Sequence, residues 1–447
     1  MRPRALSLLI LVITGLVLGL LISGLPPRVT ISILGGVFIF CLTLFYPALI
    51  VAILLCVPPF NILWMGVGIT PLEIIYGLTY VLLGISWILK GNKTKGLFSP
   101  MQIPLIVFFC VTILACIIGI LRGHRFQHWG SDLNAVMYYG LCFMMPDMIK
   151  DNKQLHRLFL LIIISTIPAL LMKMEGISGI LLGLKITSVL ALVMFIISVA
   201  MALILPKGRK KAVFFALSLF FGIMQLLSFA RSIWIGAVFG LAFLFLISLG
   251  RQKINFLKFI LAGILSASLY LSVAMSVPAD NPLFKSIYAL EKRYESIFTA
   301  KEEPSIITRG SEWREAKRMA LEHPFFGNGL GTQITYFRYD IWFGAQTWET
   351  TRYIHNAYLF LFLNMGILGL ASFLWFAASF IKYGIAVYRF LEDGIDKAIA
   401  LGVVSSFASL MVVSLAGPFL TSPLLTMWLG FFMGALIIID RSLKRAS

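Results

Sequence analysis

Apolar residues in this chain come in unbroken blocks rather than at alternate positions or along one helical face. A helix crosses a bilayer with about 20 consecutive apolar residues, and blocks near that length recur throughout. Runs at 5–22, 29–45, 72–89, 103–121, 133–149, 158–171, 186–205, 212–229, 233–249 and 256–276 precede one long polar stretch, and runs at 357–380, 398–416 and 424–439 follow it. Another run, 48–57, is stopped by Pro58 and Pro59 and is short for a crossing, so it reads as re-entrant or tilted. The first run sits behind Arg2 and Arg4 as a signal peptide would. No small-residue cleavage site follows it, however, and Gly24, Pro26 and Pro27 turn the chain into the next run, so it reads as a span. The pattern predicts an all-α polytopic membrane protein, a single integral membrane domain over 1–447 with about 12–14 transmembrane helices. One large, partly helical loop, 277–354, interrupts it.

Composition agrees, with 60% hydrophobic and 13% charged residues, an apolar share beyond that of soluble domains. A net charge of +18 would suit a nucleic-acid partner until its distribution is read. Lys90, Lys93, Lys95, Lys150, Lys153, Arg157, Lys207, Arg209, Lys210, Lys211, Arg251, Lys253 and Lys258 crowd one set of alternate short loops. Arg2, Arg4, Lys382, Arg389, Lys397, Arg441, Lys444 and Arg445 fall on the same side, while the opposite short loops hold only Arg28, Arg122, Arg125, Lys173, Lys185 and Arg231. Cytoplasmic loops carry the basic excess. Both termini are therefore expected in the cytoplasm and the 277–354 loop outside it. Within that loop ten acidic residues balance ten Lys and Arg, so the net charge is orientation charge and no nucleic-acid partner is expected. Cys41, Cys56, Cys110, Cys116 and Cys142 lie in or beside apolar runs, which predicts neither a disulfide framework nor a metal site.

Any chemistry must then come from the loop and the span ends beside it. Trp313, Ala316, Met319 and Ala320 recur at helical spacing and predict a helix over 312–322 that His323-Pro324 stops. Gly327, Gly329 and Gly331 follow in the sequence GNGLG. Such a turn can cradle an anion on its N–H groups, but it lacks the strand context and lysine of a nucleotide loop, so a structural turn is the first reading. His355 marks the place where the loop meets the next span. A histidine at the membrane surface, with arginines near it in sequence, suits proton chemistry on a lipid-borne substrate.

Taken together, Arg309, Trp313, Ala316, Pro324, GNGLG, and His355-Asn356 followed after nine residues by Gly366 and then Gly369, resemble the O-antigen ligase and Wzy-type polymerase superfamily. Arg231-Ser232-Ile233-Trp234 is similar to that family's arginine signature ahead of the loop. The resemblance is dense from about 228 to 370; the first half of the chain agrees only in hydropathy and topology. It implies a GT-C-like membrane glycosyltransferase, without metal or other cofactor, in the bacterial cytoplasmic membrane. The donor would be a glycan on polyprenyl (undecaprenyl) diphosphate and the acceptor a lipid or glycan hydroxyl. Carried over by motif, His355 would activate the acceptor, and Arg231 and Arg309 would bind the diphosphate. The acid that often precedes the first glycine of the family pattern is Asn364 here, so the resemblance assigns no carboxylate role at that position.

Plainer readings stand beside these. Arg231 can snorkel at a span end, Arg309 can pair with Glu312 or Glu315, and His355 can cap a span with Asn356. His124 and His128, beside Trp129, are weaker candidates for acceptor recognition, and the tyrosines and tryptophans of the loop read first as an interfacial belt. Among functions, a ligase that moves a finished glycan to a lipid comes first, and a Wzy-type polymerase joining repeat units second. A lipid-linked oligosaccharide transporter comes last, because the span interiors are almost free of charge and one outer loop dominates.

Overall fold

The computed structural model describes residues 46–56, 71–89, 99–149, 151–174, 184–228, 230–276, 304–339 and 346–446, with residues 288 and 295. The predicted runs 5–22 and 29–45 lie outside them. Each remaining run is helical, in the order α1 (Pro47–Cys56), α2 (Pro71–Leu89), α3 (Gln102–Leu121), α4 (Phe126–Met137), α5 (Leu141–Met148), α6 (Asn152–Met174), α7 (Leu184–Ile204), α8 (Arg209–Leu226), α9 (Arg231–Ile247) and α10 (Arg251–Met275). The loop contributes α11 (Pro304–Glu322) and a hairpin of β1 (Ile334–Tyr339) and β2 (Gln346–Thr351). Then come α12 (Ala357–Phe390), α13 (Ile395–Val413) and α14 (Pro423–Ala446). By length and composition alone α3, α6, α12, α13 and α14 qualify as membrane spans, and α1, α2, α7 and α9 contain shorter apolar helices. The architecture is that of an all-α polytopic membrane protein.

Two predicted spans are reshaped. The run 133–149 is not one helix: α4 ends at Met137, a 3-10 turn covers Tyr138–Gly140, and α5 follows. The Tyr80 hydroxyl donates to the Met137 carbonyl at 2.6 Å, while the Leu141 N–H turns to the carbonyls of Tyr138 and Tyr139. The run 357–380 is also broken, because Gly366 in α12 has φ 63° and ψ −165°. The Tyr358 hydroxyl reaches the Met411 carbonyl at 2.6 Å and the Phe380 ring lies 4.8 Å from Phe407. Met411 and Phe407 are one turn apart on α13, whereas 358 and 380 would be about 33 Å apart in a straight helix. The two halves of α12 therefore diverge at Gly366.

Close backbone contact holds the bundle. A Cβ at Gly402 of α13 would lie 2.9 Å from Ile197 Cα of α7, and one at Gly236 of α9 would lie 2.1 Å from Val413 of α13. Ser409 and Ser406 of α13 donate to the carbonyls of Gly236 and Val193, so small polar residues bond across helices where lipid offers no partner. Phe108 of α3 packs on Phe373 and Phe376 of α12. The Trp428 indole of α14 reaches the Leu55 carbonyl of α1.

The two ends of the bundle differ in character. At one end His156 pairs with Asp396 at 2.6 Å, Lys397 with Asp393, Lys444 with Asp440, and Gln252 bonds Asp393 and Tyr388. The basic residues grouped by sequence thus meet across α6, α10, α12, α13 and α14. At the other end the Ala357 N–H donates to the Ser414 carbonyl at 2.9 Å and the Leu330 N–H to the Ala115 carbonyl, which seats the loop on the tips of α3, α12 and α13.

Candidate functional site

The site is built where the loop enters α12. Asn356 caps that helix: its backbone is extended (φ −159°), and its side-chain oxygen accepts the N–H groups of Tyr358 and Leu359, each at 3.0 Å. The capping role expected for Asn356 is what the structure contains. His355, just outside the helix, is only partly covered, its side chain 25% exposed.

Beneath it lies Glu312 of α11, whose side chain has no exposed surface. One carboxylate oxygen accepts the His355 backbone N–H and the other is 2.7 Å from His355 Nδ1. The Tyr353 ring stands edge-on to the imidazole, 4.8 Å between centroids. Burial and the Glu312 carboxylate push the Tyr353 phenol up to about 12, and Arg309 pulls the other way. Arg309 sits three residues before Glu312 on α11, so the two share a helix face, and both act on the aromatic neighbour of His355. Glu312 has His355 as a close partner, and Glu315 bonds Arg318 at 2.6 Å.

Arg231 is the first residue of α9. Gly236, about 7.5 Å further along that helix, touches Val413, and the next residue, Ser414, accepts the N–H of Ala357. Arg231 and His355 therefore lie at the same end of the bundle. Trp234 of the same motif donates its indole N–H to the Gln225 carbonyl at 3.1 Å, which ties the start of α9 to the end of α8.

The GNGLG turn is structural. Gly327, Gly329 and Gly331 have φ of 75°, 87° and 85°, and a Cβ at Gly329 would lie 2.4 Å from Gly119 N of α3. Its N–H groups are taken in order by His323 O, Leu363 O, Asn364 O, Ala115 O and the Asp132 carboxylate. None of the five faces outward to cradle an anion. Asn364 is buried, and its side-chain oxygen accepts the Thr332 N–H at 3.4 Å, so the position often acidic in the family pattern serves the docking of the turn. His124 is also spent on this docking, with Nδ1 2.8 Å from the Leu330 carbonyl.

Sequence reasoning missed Glu312 as a partner of His355, the β-hairpin, and a second tether of the loop. Arg352, three residues before His355, bonds Asp132 of α4 at 2.8 Å, the Ser131 hydroxyl at 3.0 Å and the His128 carbonyl at 3.2 Å. Asp132 is only 7% exposed, and burial pushes its carboxyl up to about 6 despite the opposing Arg352 charge. The available signal was an aspartate at the edge of an apolar run. Among the described residues no group of three or more His, Cys, Asp or Glu is arranged to hold a metal ion.

Fold and site together define a multi-pass α-helical membrane protein with a histidine–glutamate pair where a folded interhelical loop joins the bundle. Residues 215–374 match the family described as O-antigen ligase, Wzy_C. The matched segment runs from α8 into α12, and contains Arg231, α11, GNGLG, His355, Asn356, Gly366 and Gly369. Over that segment the similarity to the O-antigen ligase and Wzy-type superfamily is shown. No curated protein matches the chain.

Proposed function

We propose that the protein is a metal-independent glycosyltransferase at the outer face of the bacterial cytoplasmic membrane, with both termini cytoplasmic. It moves a glycan from polyprenyl diphosphate to an acceptor hydroxyl in the manner of an O-antigen ligase. The observation that carries this reading is the placement of His355 inside the family-matched segment. The side chain is a quarter exposed at the end of the bundle away from the basic clusters, with Arg309 on the same face of α11 as its partner Glu312 and Arg231 at the same end.

In this reaction the acceptor oxygen bonds to the anomeric carbon while the bond from that carbon to the diphosphate breaks. The acceptor proton passes to His355, a step in which a well-placed base contributes about 10²–10⁴ in rate. The electron pair of the broken bond leaves on the polyprenyl diphosphate. Arg231 and Arg309 meet that growing charge with planar forks that remain protonated at any working pH. The prenyl tail lies along the apolar faces of the spans, which accounts for a site at the membrane boundary.

Transfer of a polyprenyl-diphosphate-linked glycan in membranes containing His355→Ala tests the assignment. The expected result is a loss of at least about a hundredfold in rate at unchanged membrane insertion. Near-normal transfer by this variant would remove His355 from the role of base. Product analysis separates ligase from polymerase: a single glycan on a lipid acceptor fits the former, a ladder of repeat units on polyprenyl diphosphate the latter.

A further inference from the structure

We infer that Glu312 is the positioning residue of this site, fixing the tautomer and ring plane of His355 so that Nε2 presents its lone pair to the acceptor hydroxyl. The inference rests on the glycosyltransferase reading above and adds a residue to it.

The geometry gives Glu312 one task. Both of its oxygens go to the same residue, one to the backbone N–H and one to ring Nδ1 of His355, and its side chain is wholly buried. Burying a carboxylate costs several kcal/mol before pairing, whereas the single N–H before a helix cap is satisfied by water or any carbonyl. A two-point grip holds backbone and imidazole together, so the ring cannot turn about its Cα–Cβ bond. An ionised carboxylate only accepts, hence Nδ1 must be the donor and Nε2 the acceptor in the neutral ring. When Nε2 takes the acceptor's proton, the imidazolium that forms already has its counter-charge in place. The Tyr353 ring packs against the imidazole nearly at right angles, 4.8 Å between centroids.

Other charged and titratable groups near this pair are Arg309 on α11, Tyr353 ahead of α12, and Tyr336 of β1 with Glu349 of β2, 3.3 Å apart. The imidazole meets Glu312 itself through Nδ1, at 2.7 Å, so the proton on Nδ1 is set by that carboxylate.

The decisive substitution is Glu312→Gln. A glutamine of nearly the same size can still accept the His355 N–H through its oxygen, which turns its NH₂ toward Nδ1. That group donates, so it drives the ring to the Nε2–H tautomer, and the base is presented the wrong way round. The expected result is a fall in kcat of about 10²–10⁴ with little change in donor KM. Glu312→Asp, which keeps the acceptor-only carboxylate, should restore part of the rate. In the unsubstituted protein, nitrogen NMR of the histidine signal that disappears in His355→Ala should show a protonated Nδ1 and a bare Nε2.

A protonated Nε2 in the neutral ring would overturn the inference without any variant. So would a Glu312→Gln protein with unchanged kcat, or one whose lowered rate is not improved by aspartate. Failure of the underlying reading looks different. If His355→Ala transfers normally there is no base to position, whereas a dead His355→Ala beside a normal Glu312→Gln sinks the role of Glu312 alone.

Discussion

Replacing Arg352 by methionine should loosen the loop beneath His355 in a pH-dependent way. The substitution keeps most of the stem and deletes the fork that holds Asp132, the Ser131 hydroxyl and the His128 carbonyl. Removing one partner of a buried pair costs about 3–5 kcal/mol. The lower end applies, because the Arg352 side chain is 23% exposed and Asp132 has a second partner in the Gly331 N–H. The sign with pH follows from Asp132. Burial raises its carboxyl to about 6, above its unfolded value. The stability it contributes is therefore full below about pH 4 and is lost as pH rises through 6, amounting to about 3 kcal/mol across that window. Without Arg352, whose charge holds it down, the carboxyl climbs further. Its proton is then kept at pH 5, and the missing charge pair is felt mainly at pH 8. Hydrogen exchange of the 330–332 amides reads this local opening directly. At pH 8 the variant should exchange roughly a hundredfold faster, equivalent to about 3 kcal/mol, with a smaller gap at pH 5 after correction for intrinsic rates. Adding Asp132→Asn should recover part of the loss. Equal acceleration at both pH values together with strictly additive effects in the double variant would refute the reasoning.

Three further substitutions follow from the same geometry. Arg231→Lys and Arg309→Lys should each lower transfer at least about tenfold despite retained charge, since an ammonium does not reproduce the bidentate fork; transfer assays showing both at normal rates would end the clamp assignment. Gly329→Ala should undock the turn. It places a side chain at φ 87°, costing about 1–2 kcal/mol, and brings its Cβ to 2.4 Å from Gly119 N of α3, a backbone atom that cannot swing away. Limited proteolysis of the loop at the unsubstituted rate would contradict that.

Helices were legible because the blocks are long and unbroken, and the grouping of basic residues matched the end of the bundle where they meet. Block lengths did not reveal that 133–149 and 357–380 are broken. In the first case a distant hydroxyl, that of Tyr80, captures the Met137 carbonyl. In the second, Gly366 looks like any membrane glycine until its φ of 63° is known. The hairpin escaped because Ile334–Tyr339 and Gln346–Thr351 alternate weakly, and their pairing is fixed partly by contact with α11, where Ser311 accepts the Phe337 N–H at 3.3 Å. His355, Arg309 and Arg231 were singled out by motif. Glu312 was seen only as a partner for Arg309, since no local rule links two residues 43 positions apart.

Spacing within the matched segment becomes intelligible once those links are drawn. Glu312 holds His355, and twelve residues later on each strand of the contact the Pro324 carbonyl accepts the Ile367 N–H at 2.8 Å. From 312 to 324 the chain is α11 and its stop, and from 355 to 367 it is the cap and first half of α12. These two rails run in the same direction and have the same length, about 18 Å at helical rise, with the proline turn closing one end and the histidine–glutamate pair the other. The nine residues between Asn356 and Gly366 are thus a measured distance. Each residue of helix turns about 100°, so a single insertion there would leave the docked turn in place while swinging His355 off Glu312. The helix break at Gly366 lets this short rail keep the direction of α11 while the rest of α12 follows the bundle, and the imidazole is aimed by the loop and not by the span.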